Sequence, residues 1–391
     1  MSNRNIKLNN PDRFRGDCFI AVEKFQHAIK KACDKLASKI DIYMDAFPRF
    51  DYSLGINNSW ICGMHTGTFL LAYELTGDEK FLNVVRHHML SYRKRIDEKI
   101  NLDDHDVGFV FSPSTVAYYK VTGDEEAKQI SYAAAKHLYE TGYSKKGGFI
   151  LRSGPNADKE WACRTMMDSL LNAPLLFWAG KEFNIPEYTD AGLAQSAITD
   201  KCLIRDDGSS FHHYQFEVGT HKPVRGLTLQ GASNDSCWSR GHSWGVLGLP
   251  IAYSYTGAEW ILPLHRDITY YMLNHLPEDN IPYWDFDFVS GSEPRDASAA
   301  VISVCGMLEA IAYLPDTAPE KEVYKNAAIR IMESVIDNCT DVSSDEYDGL
   351  INHVTFAKPQ GKGIDSCAIY GDYFYLESLI RFTNPNWKRY W

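Results

Sequence analysis

One phrase, which ends an apolar helical run and starts the next, recurs along the chain. Leu70-Leu-Ala-Tyr-Glu-Leu-Thr-Gly-Asp-Glu-Lys-Phe returns as Val116-Ala-Tyr-Tyr-Lys-Val-Thr-Gly-Asp-Glu-Glu-Ala, and its threonines, Thr76 and Thr122, stand 46 residues apart. Fainter copies lie at Ala252-Tyr-Ser-Tyr-Thr-Gly-Ala-Glu and Ala312-Tyr-Leu-Pro-Asp-Thr-Ala-Pro-Glu. A repeat of this length marks stacked supersecondary units. Gly77 and Gly123 suit the left-handed residue that closes a helix, and Asp78 and Asp124 can cap the helix that follows. Each copy therefore reads helix, tight turn, helix.

The segments after the turns, from Phe81 and from Ala127, carry apolar residues at i, i+3, i+4 and i+7, which predicts amphipathic helices. Further helices are expected near residues 17–45, 164–180, 187–199, 240–254, 296–313, 321–338 and 368–382, and one is expected to start near Pro113. Repeated hairpins of this kind either extend as an open solenoid or close on themselves. The loops 147–164, 206–238 and 277–296 are crowded with Trp, Tyr, His, Asp and Asn, as an active-site face would be and a plain scaffold need not be. They favour an all-α, closed (α/α)6 toroid: one catalytic domain over residues 1–391, with 1–15 a flexible N-terminal tip.

Composition removes several classes of function. A formal net charge of −11 argues against a nucleic-acid partner. Nine cysteines are scattered singly, without a C-x-x-C pair, so zinc and disulfide chemistry are not indicated. The polar start lacks an apolar signal-like segment, and no run of about 18 apolar residues occurs. A cytoplasmic protein without membrane contact is expected, as a monomer or weak homo-oligomer. No phosphate loop, dinucleotide fingerprint, nucleophile elbow or metal helix is found, so no cofactor and no metal are expected.

Three clusters carry candidate chemistry. The loop Leu102-Asp-Asp-His-Asp-Val-Gly-Phe offers Asp106 as one member of the carboxyl pair that sugar cleavage or hydration needs; Asp103, Asp104 and Asp106 could equally be solvated turn residues. Asp168 falls in an apolar run between Met166, Met167, Leu170 and Leu171. Burial there would raise its pKa towards that of a general acid, unless it only ties down a neighbouring loop. The third cluster runs from Phe211-His-His-Tyr to Asp235-Ser-Cys-Trp-Ser-Arg-Gly-His-Ser-Trp-Gly. It mixes indoles with hydrogen-bonding groups, as sugar sites do. Arg240 could clamp a carboxylate or serve a structural ion pair.

His105-Asp-Val-Gly-Phe, Met167-Asp-Ser-Leu-Leu-Asn-Ala-Pro-Leu-Leu-Phe-Trp-Ala, Asp235-Ser-Cys-Trp-Ser-Arg-Gly-His-Ser-Trp-Gly, Pro282-Tyr-Trp-Asp-Phe-Asp and Gly371-Asp-Tyr-Phe-Tyr-Leu-Glu-Ser together resemble the unsaturated glucuronyl hydrolases, glycoside hydrolase family 88. The resemblance runs from about Trp60 to Phe382. It implies an (α/α)6 toroid that removes a terminal 4,5-unsaturated glucuronic acid from oligosaccharides left by polysaccharide lyases, by adding water across the C4=C5 vinyl ether. It also implies that Asp168 protonates C4 and activates the water, with Asp106 the second essential carboxylate. Trp60, His105, His212, Gln230, Trp238, Arg240 and Trp244 match residues lining the uronate subsite.

The match has departures. Met64 and His65 replace aromatics common in the family, and Arg152 stands near a position often held by Trp, so stacking towards the aglycone is expected to change. Members that prefer sulfated chondroitin units carry an Arg just before the matched Gln and a Ser-x-x-Ser-x-Lys run. Here these read Leu229 and Ala357-Lys-Pro-Gln-Gly-Lys, leaving Lys362 as the surviving substrate-binding cation and Lys358 as a new one. A glycosaminoglycan-type, unsulfated substrate is expected. The alternatives are an unsaturated rhamnogalacturonyl hydrolase acting on pectin fragments, a sugar 2-epimerase using His242 and His353, and a helical-repeat binding scaffold.

Overall fold

The two strong copies of the recurring turn close their helices in the same way. Gly77 and Gly123 are left-handed caps with φ of 72° and 75°. Thr76 and Thr122 Oγ1 accept the N–H groups of Asp78 and Asp124 at 3.2 Å, and those aspartates accept from Lys80 N and Ala127 N. At Thr256-Gly257 the left-handed glycine is kept, with φ of 63°, but Ala258 replaces the capping aspartate.

The computed structural model describes residues 4–340 and 348–391. Its helices are α1 (Val22–Ser38), α2 (Ile40–Tyr43), α3 (Cys62–Thr76), α4 (Glu79–Asp97), α5 (Val107–Phe111), α6 (Ala117–Thr122), α7 (Glu125–His137), α8 (Ser169–Glu182), α9 (Pro186–Ile198), α10 (Ser239–Thr256), α11 (Ile261–Asn274), α12 (Ala297–Ile311), α13 (Pro319–Cys339) and α14 (Ile369–Thr383). A π-helical stretch, Ser112–Val116, joins α5 to α6 without a break.

Contacts between these helices define a closed ring. Helix α3 touches α5, α5 touches α8, and α8, α10, α12 and α14 follow in turn; α14 then returns to α3. Helices α1, α4, α7, α9, α11 and α13 pack outside this ring. The architecture is the (α/α)6 barrel, and residue character explains the two layers. Inner helices have no polar face: α8 is buried from Ser169 to Gly180 and α12 from Ala297 to Met307. Outer α4 buries Phe81, Val84, Val85, His88 and Tyr92 and leaves Glu79, Lys80, Asn83, Arg86 and His87 in water, the pattern of a helix with one packed stripe.

Three local expectations fail. Helix α5 starts at Val107 rather than near Pro113, because Pro113, which lacks an N–H, is absorbed in the π-helical stretch. Residues 164–166 form a strand, so α8 begins only at Ser169. Helix α11 went unforeseen: Pro263 and the run Ile268-Thr-Tyr-Tyr have weak helical propensity, and tertiary burial of Ile268, Met272 and Leu273 decides the matter. Of the expected N-terminal tip, residues 1–3 lie outside the described residues and residues 4–15 rest against the barrel. Arg4 is ion-paired with Asp200 at 2.5 Å and Phe14 is buried. Among the described residues no helix is long and apolar enough to cross a membrane.

Candidate active site

Asp106 and Asp168 each occupy the position just before the first turn of an inner helix, α5 and α8, and neither side chain caps its own helix. The two helix starts are pressed together at Gly108, where a Cβ would sit 2.3 Å from the Cα of Asn172. Asn172 stitches the contact. Its Oδ1 accepts Phe109 N–H at 2.8 Å, while Nδ2 donates to Asp168 O at 3.0 Å and towards Asp106 Oδ1 at 3.3 Å. The close backbone approach at Gly108 and the Asn172 side chain together bring both carboxylates into one cavity.

That cavity holds about 570 Å³, and Trp60, His105, Asp106, Asp168, Gln230, Trp238, Arg240 and Trp244 all stand in its wall. His212 lies just behind, its Nε2 3.6 Å from Asp168 Oδ2 and its ring against Trp238. Lys362 does not join them: it is exposed in a turn outside the wall, because its backbone pairs with Ala357. Among the epimerase candidates, His242 is buried against Ser210 and the Ile268 carbonyl, and His353 pairs with Asp365. Neither lines the cavity.

Burial dominates the electrostatics. It raises Asp168, and it pushes Asp106 up to about 7 with help from the charges of Asp104 and Asp168, against the lowering effect of His105. Burial alone would also raise Asp104, but His105 and Arg152 hold it well below the usual carboxylate range. His105, which burial alone would depress, is raised on balance by Asp106 and Asp104; its Nδ1 lies 2.6 Å from Asp104. His212 is forced down by burial and by neighbouring cations, so it stands neutral. The wall thus offers two carboxyl groups whose hold on a proton is strengthened by burial, next to a charged Asp104–His105–Arg152 cluster.

Several buried polar atoms here make no hydrogen bond: Asp168 Oδ2, His105 Nε2, both ring nitrogens of His212 and Trp244 Nε1, although His105 Nε2 lies 3.2 Å from Asp106 Oδ1. Buried polar groups are normally paired, so their convergence on one cavity marks a site built for a polar ligand. Arg240 is more committed. It is 1% exposed and donates to Asp296 at 2.7 Å and to the Thr355 and Phe356 carbonyls. Most of its fork is spent on holding the loop that carries Phe356, which favours the structural ion pair left open above. Asp104, His105 and Asp106 also cluster closely enough to ligate a cation, but the Arg152 guanidinium already occupies Asp104.

Three residues at the site have roles not foreseen from the sequence. Arg152, expected only to alter stacking, is the counter-ion of Asp104, Trp161 stands half exposed at the rim, and Asn172 positions both catalytic candidates. A buried Asn one turn after Asp168 was a readable signal; the other two come together only through loop geometry.

A ring of six inner helices around a carboxylate-paired, ligand-hungry cavity defines a barrel-type glycoside hydrolase. The chain belongs to glycosyl hydrolase family 88, whose family model matches residues 28–378. It is 38% identical over 391 residues to the unsaturated chondroitin disaccharide hydrolase of Streptococcus pneumoniae, covering 98% of each chain. Among solved structures, the unsaturated glucuronyl hydrolase of Streptococcus agalactiae superposes with a TM-score of 0.94 at 36% identity, covering 99% of this chain and 98% of that one. A mutant of that enzyme complexed with dGlcA-GalNAc6S superposes at 0.87 with 34% identity over 99% and 98% of the two chains.

Proposed function

We propose that the protein, acting as one catalytic domain, releases the terminal 4,5-unsaturated glucuronic acid from glycosaminoglycan-type oligosaccharides. The reaction is hydration. Asp168 gives its proton to C4, and the water it then deprotonates adds to C5. The C5 hemiketal opens by breaking the bond to the ring oxygen, and the resulting hemiacetal at C1 expels the aglycone alcohol. Asp106, beside the ring, stabilises the positive charge that develops at C5 and the ring oxygen. Trp60, Trp238 and Trp244 supply apolar faces, and His105, His212 and Gln230 supply polar contacts.

The observation that supports this reading most is the carboxyl group of Asp168, which stands in the cavity wall, is raised by burial and has an inner Oδ2 without a hydrogen-bond partner. Protonating an electron-rich alkene needs an acid that holds its proton more tightly than an ordinary carboxyl, and burial shifts Asp168 in that direction. The two streptococcal relatives supply the substrate class.

An unsulfated substrate fits the cations available. Lys358 is bound to Glu293 and lies over Trp284, Lys362 stands outside the cavity wall, and Leu229 offers no charge. A substrate panel tests the reading through loss of the ultraviolet absorbance of the conjugated C4=C5 uronate. Unsaturated chondroitin and hyaluronan disaccharides should lose it and an unsaturated rhamnogalacturonan disaccharide should not; the reverse order would overturn the assignment. The reaction is placed in the cytoplasm, where lyase products would arrive after uptake.

A further inference from the structure

Beside the catalytic cavity lies a second hollow of about 480 Å³, and one residue, Trp161, stands in the wall of both. Its indole is 51% exposed. The antiparallel sheet formed by Arg164–Met166, His213–Phe216 and Pro223–Leu227 explains the placement. Side chains two apart on a strand share a face and are about 7 Å apart. Met166 lines the catalytic cavity and Arg164 lines the hollow, so one sheet face runs from the first site into the second. The cross-strand partners His213, Gln215, Arg225 and Leu227 complete that face.

Two polar groups there, Arg164 and His213, are incompletely matched. Arg164 makes no ion pair among the described residues: its Nη1 reaches only His213 Nε2, at 3.5 Å, and its Nε is buried without an acceptor. His213 is fully buried, with Nδ1 unpartnered. The nearby carboxylates are engaged elsewhere, Asp158 with Lys159 at 2.8 Å and Glu160 with Gln215 Nε2. Arg225 gives a hydrogen bond to Gln215 at 3.3 Å. A half-buried cation without a counter-ion is costly, and an incoming anion would offset that cost.

Resting on the reading of the catalytic cavity above, we propose that this hollow is a subsite for the carboxylate of a second uronate in longer substrates. Arg164 is the carboxylate's partner, and Trp161 is the platform on which the intervening sugar stacks. In an alternating uronate and amino-sugar chain, the first carboxylate on the aglycone side belongs to the second sugar beyond the cleaved bond. The hollow lies across Trp161 from the catalytic cavity, on the side away from Asp106 and Asp168, where a sugar stacked on Trp161 would lead into it. A sulfate on the intervening amino sugar is the other source of an anion, and it would sit one sugar nearer.

The test compares kcat/KM on unsulfated unsaturated chondroitin tetrasaccharide and disaccharide for wild type, Arg164→Gln and Leu227→Trp, the last filling the hollow without altering the cation. Wild type should favour the tetrasaccharide about tenfold, the scale of one charge-assisted contact, through KM, and both variants should bring that ratio close to one. A wild-type ratio near one, or a ratio retained in both variants, would overturn the subsite. So would a preference for 6-sulfated disaccharide that disappears in Arg164→Gln, which would give the anion to sulfate. Failure of wild type on the disaccharide itself would instead strike the catalytic reading on which the subsite rests.

Discussion

Asp106 and Asp168 occupy equivalent places on two adjacent barrel helices: each immediately precedes the first helical turn, and each leaves its own helix uncapped. Aspartate at such a position usually accepts a backbone N–H two or three residues on, a bond that helps to stabilise the helix. Here both side chains turn into the cavity. The stability forgone at the two helix starts is the structural mark of a site built for chemistry.

Replacing either carboxylate by its amide removes the proton donor or the charge stabiliser while keeping shape. Asp168→Asn and Asp106→Asn should each lower kcat by about a thousandfold or more, in the range of lost acid–base catalysis. Circular dichroism should show an unchanged fold. A variant with either amide and activity within tenfold of wild type would exclude that residue from the mechanism.

The pH dependence follows from burial. Asp106 titrates near 7 rather than at its ordinary 3.8, and Asp168 is shifted in the same direction. The donor Asp168 is loaded below its raised value, so kcat should fall on the alkaline side as it deprotonates; Asp106 stabilises positive charge only as an anion, so kcat should also fall on the acid side below about 7. Stability takes one sign for both. The protonated forms are the ones folding tolerates, so the contribution is complete below the ordinary carboxylate range and is lost as pH rises through the folded values. Melting temperatures measured from pH 5 to pH 8 should therefore fall more in wild type than in Asp168→Asn.

Gly108 and Asn172 set the distance between the two helix starts. Gly108→Ala puts a methyl group against the backbone of Asn172 and should cost about 1–3 kcal/mol of stability, with kcat falling further than the stability loss explains. Asn172→Ala strands the buried Phe109 N–H and should cost about 1–3 kcal/mol. Urea unfolding beside single-turnover kinetics separates the two effects.

Charge at the aglycone side is already paired. Lys358→Ala removes the partner of Glu293 at a half-exposed pair and should change the preference between 6-sulfated and unsulfated chondroitin disaccharides less than twofold, as expected for surface pairs. A large loss of activity on the sulfated substrate alone would assign Lys358 to sulfate recognition.

The barrel was readable because its signals are local. Thr76-Gly77-Asp78 and Thr122-Gly123-Asp124 spell the turns, and 3.6-residue periodicity spells the helices between them. Helix α11 escaped because its Ile, Thr and Tyr residues are weak helix formers that only burial against its neighbours makes helical. In the site, the family motifs found Asp106, His105, Asp168 and the indoles. Asp168 was read as mid-helix because Met166 and Met167 look like a helix face, whereas they leave a strand and enter a turn. Arg152, Trp161 and Arg164 depend on how one long loop folds over the cavity, and no short-range pattern encodes that. Lys362 was singled out only as the surviving member of a Ser-x-x-Ser-x-Lys run, and it stands outside the cavity wall.

The most direct test of vinyl-ether hydration at Asp168 uses two unsaturated glucuronides that differ only in having an oxygen-linked or a sulfur-linked aglycone, followed by loss of the C4=C5 absorbance. Hydration breaks no bond at C1 in the enzyme-catalysed step, so both should lose absorbance at similar rates with wild type and neither with Asp168→Asn. Consumption of the oxygen-linked compound alone would show attack at C1, and would contradict the mechanism proposed for this barrel.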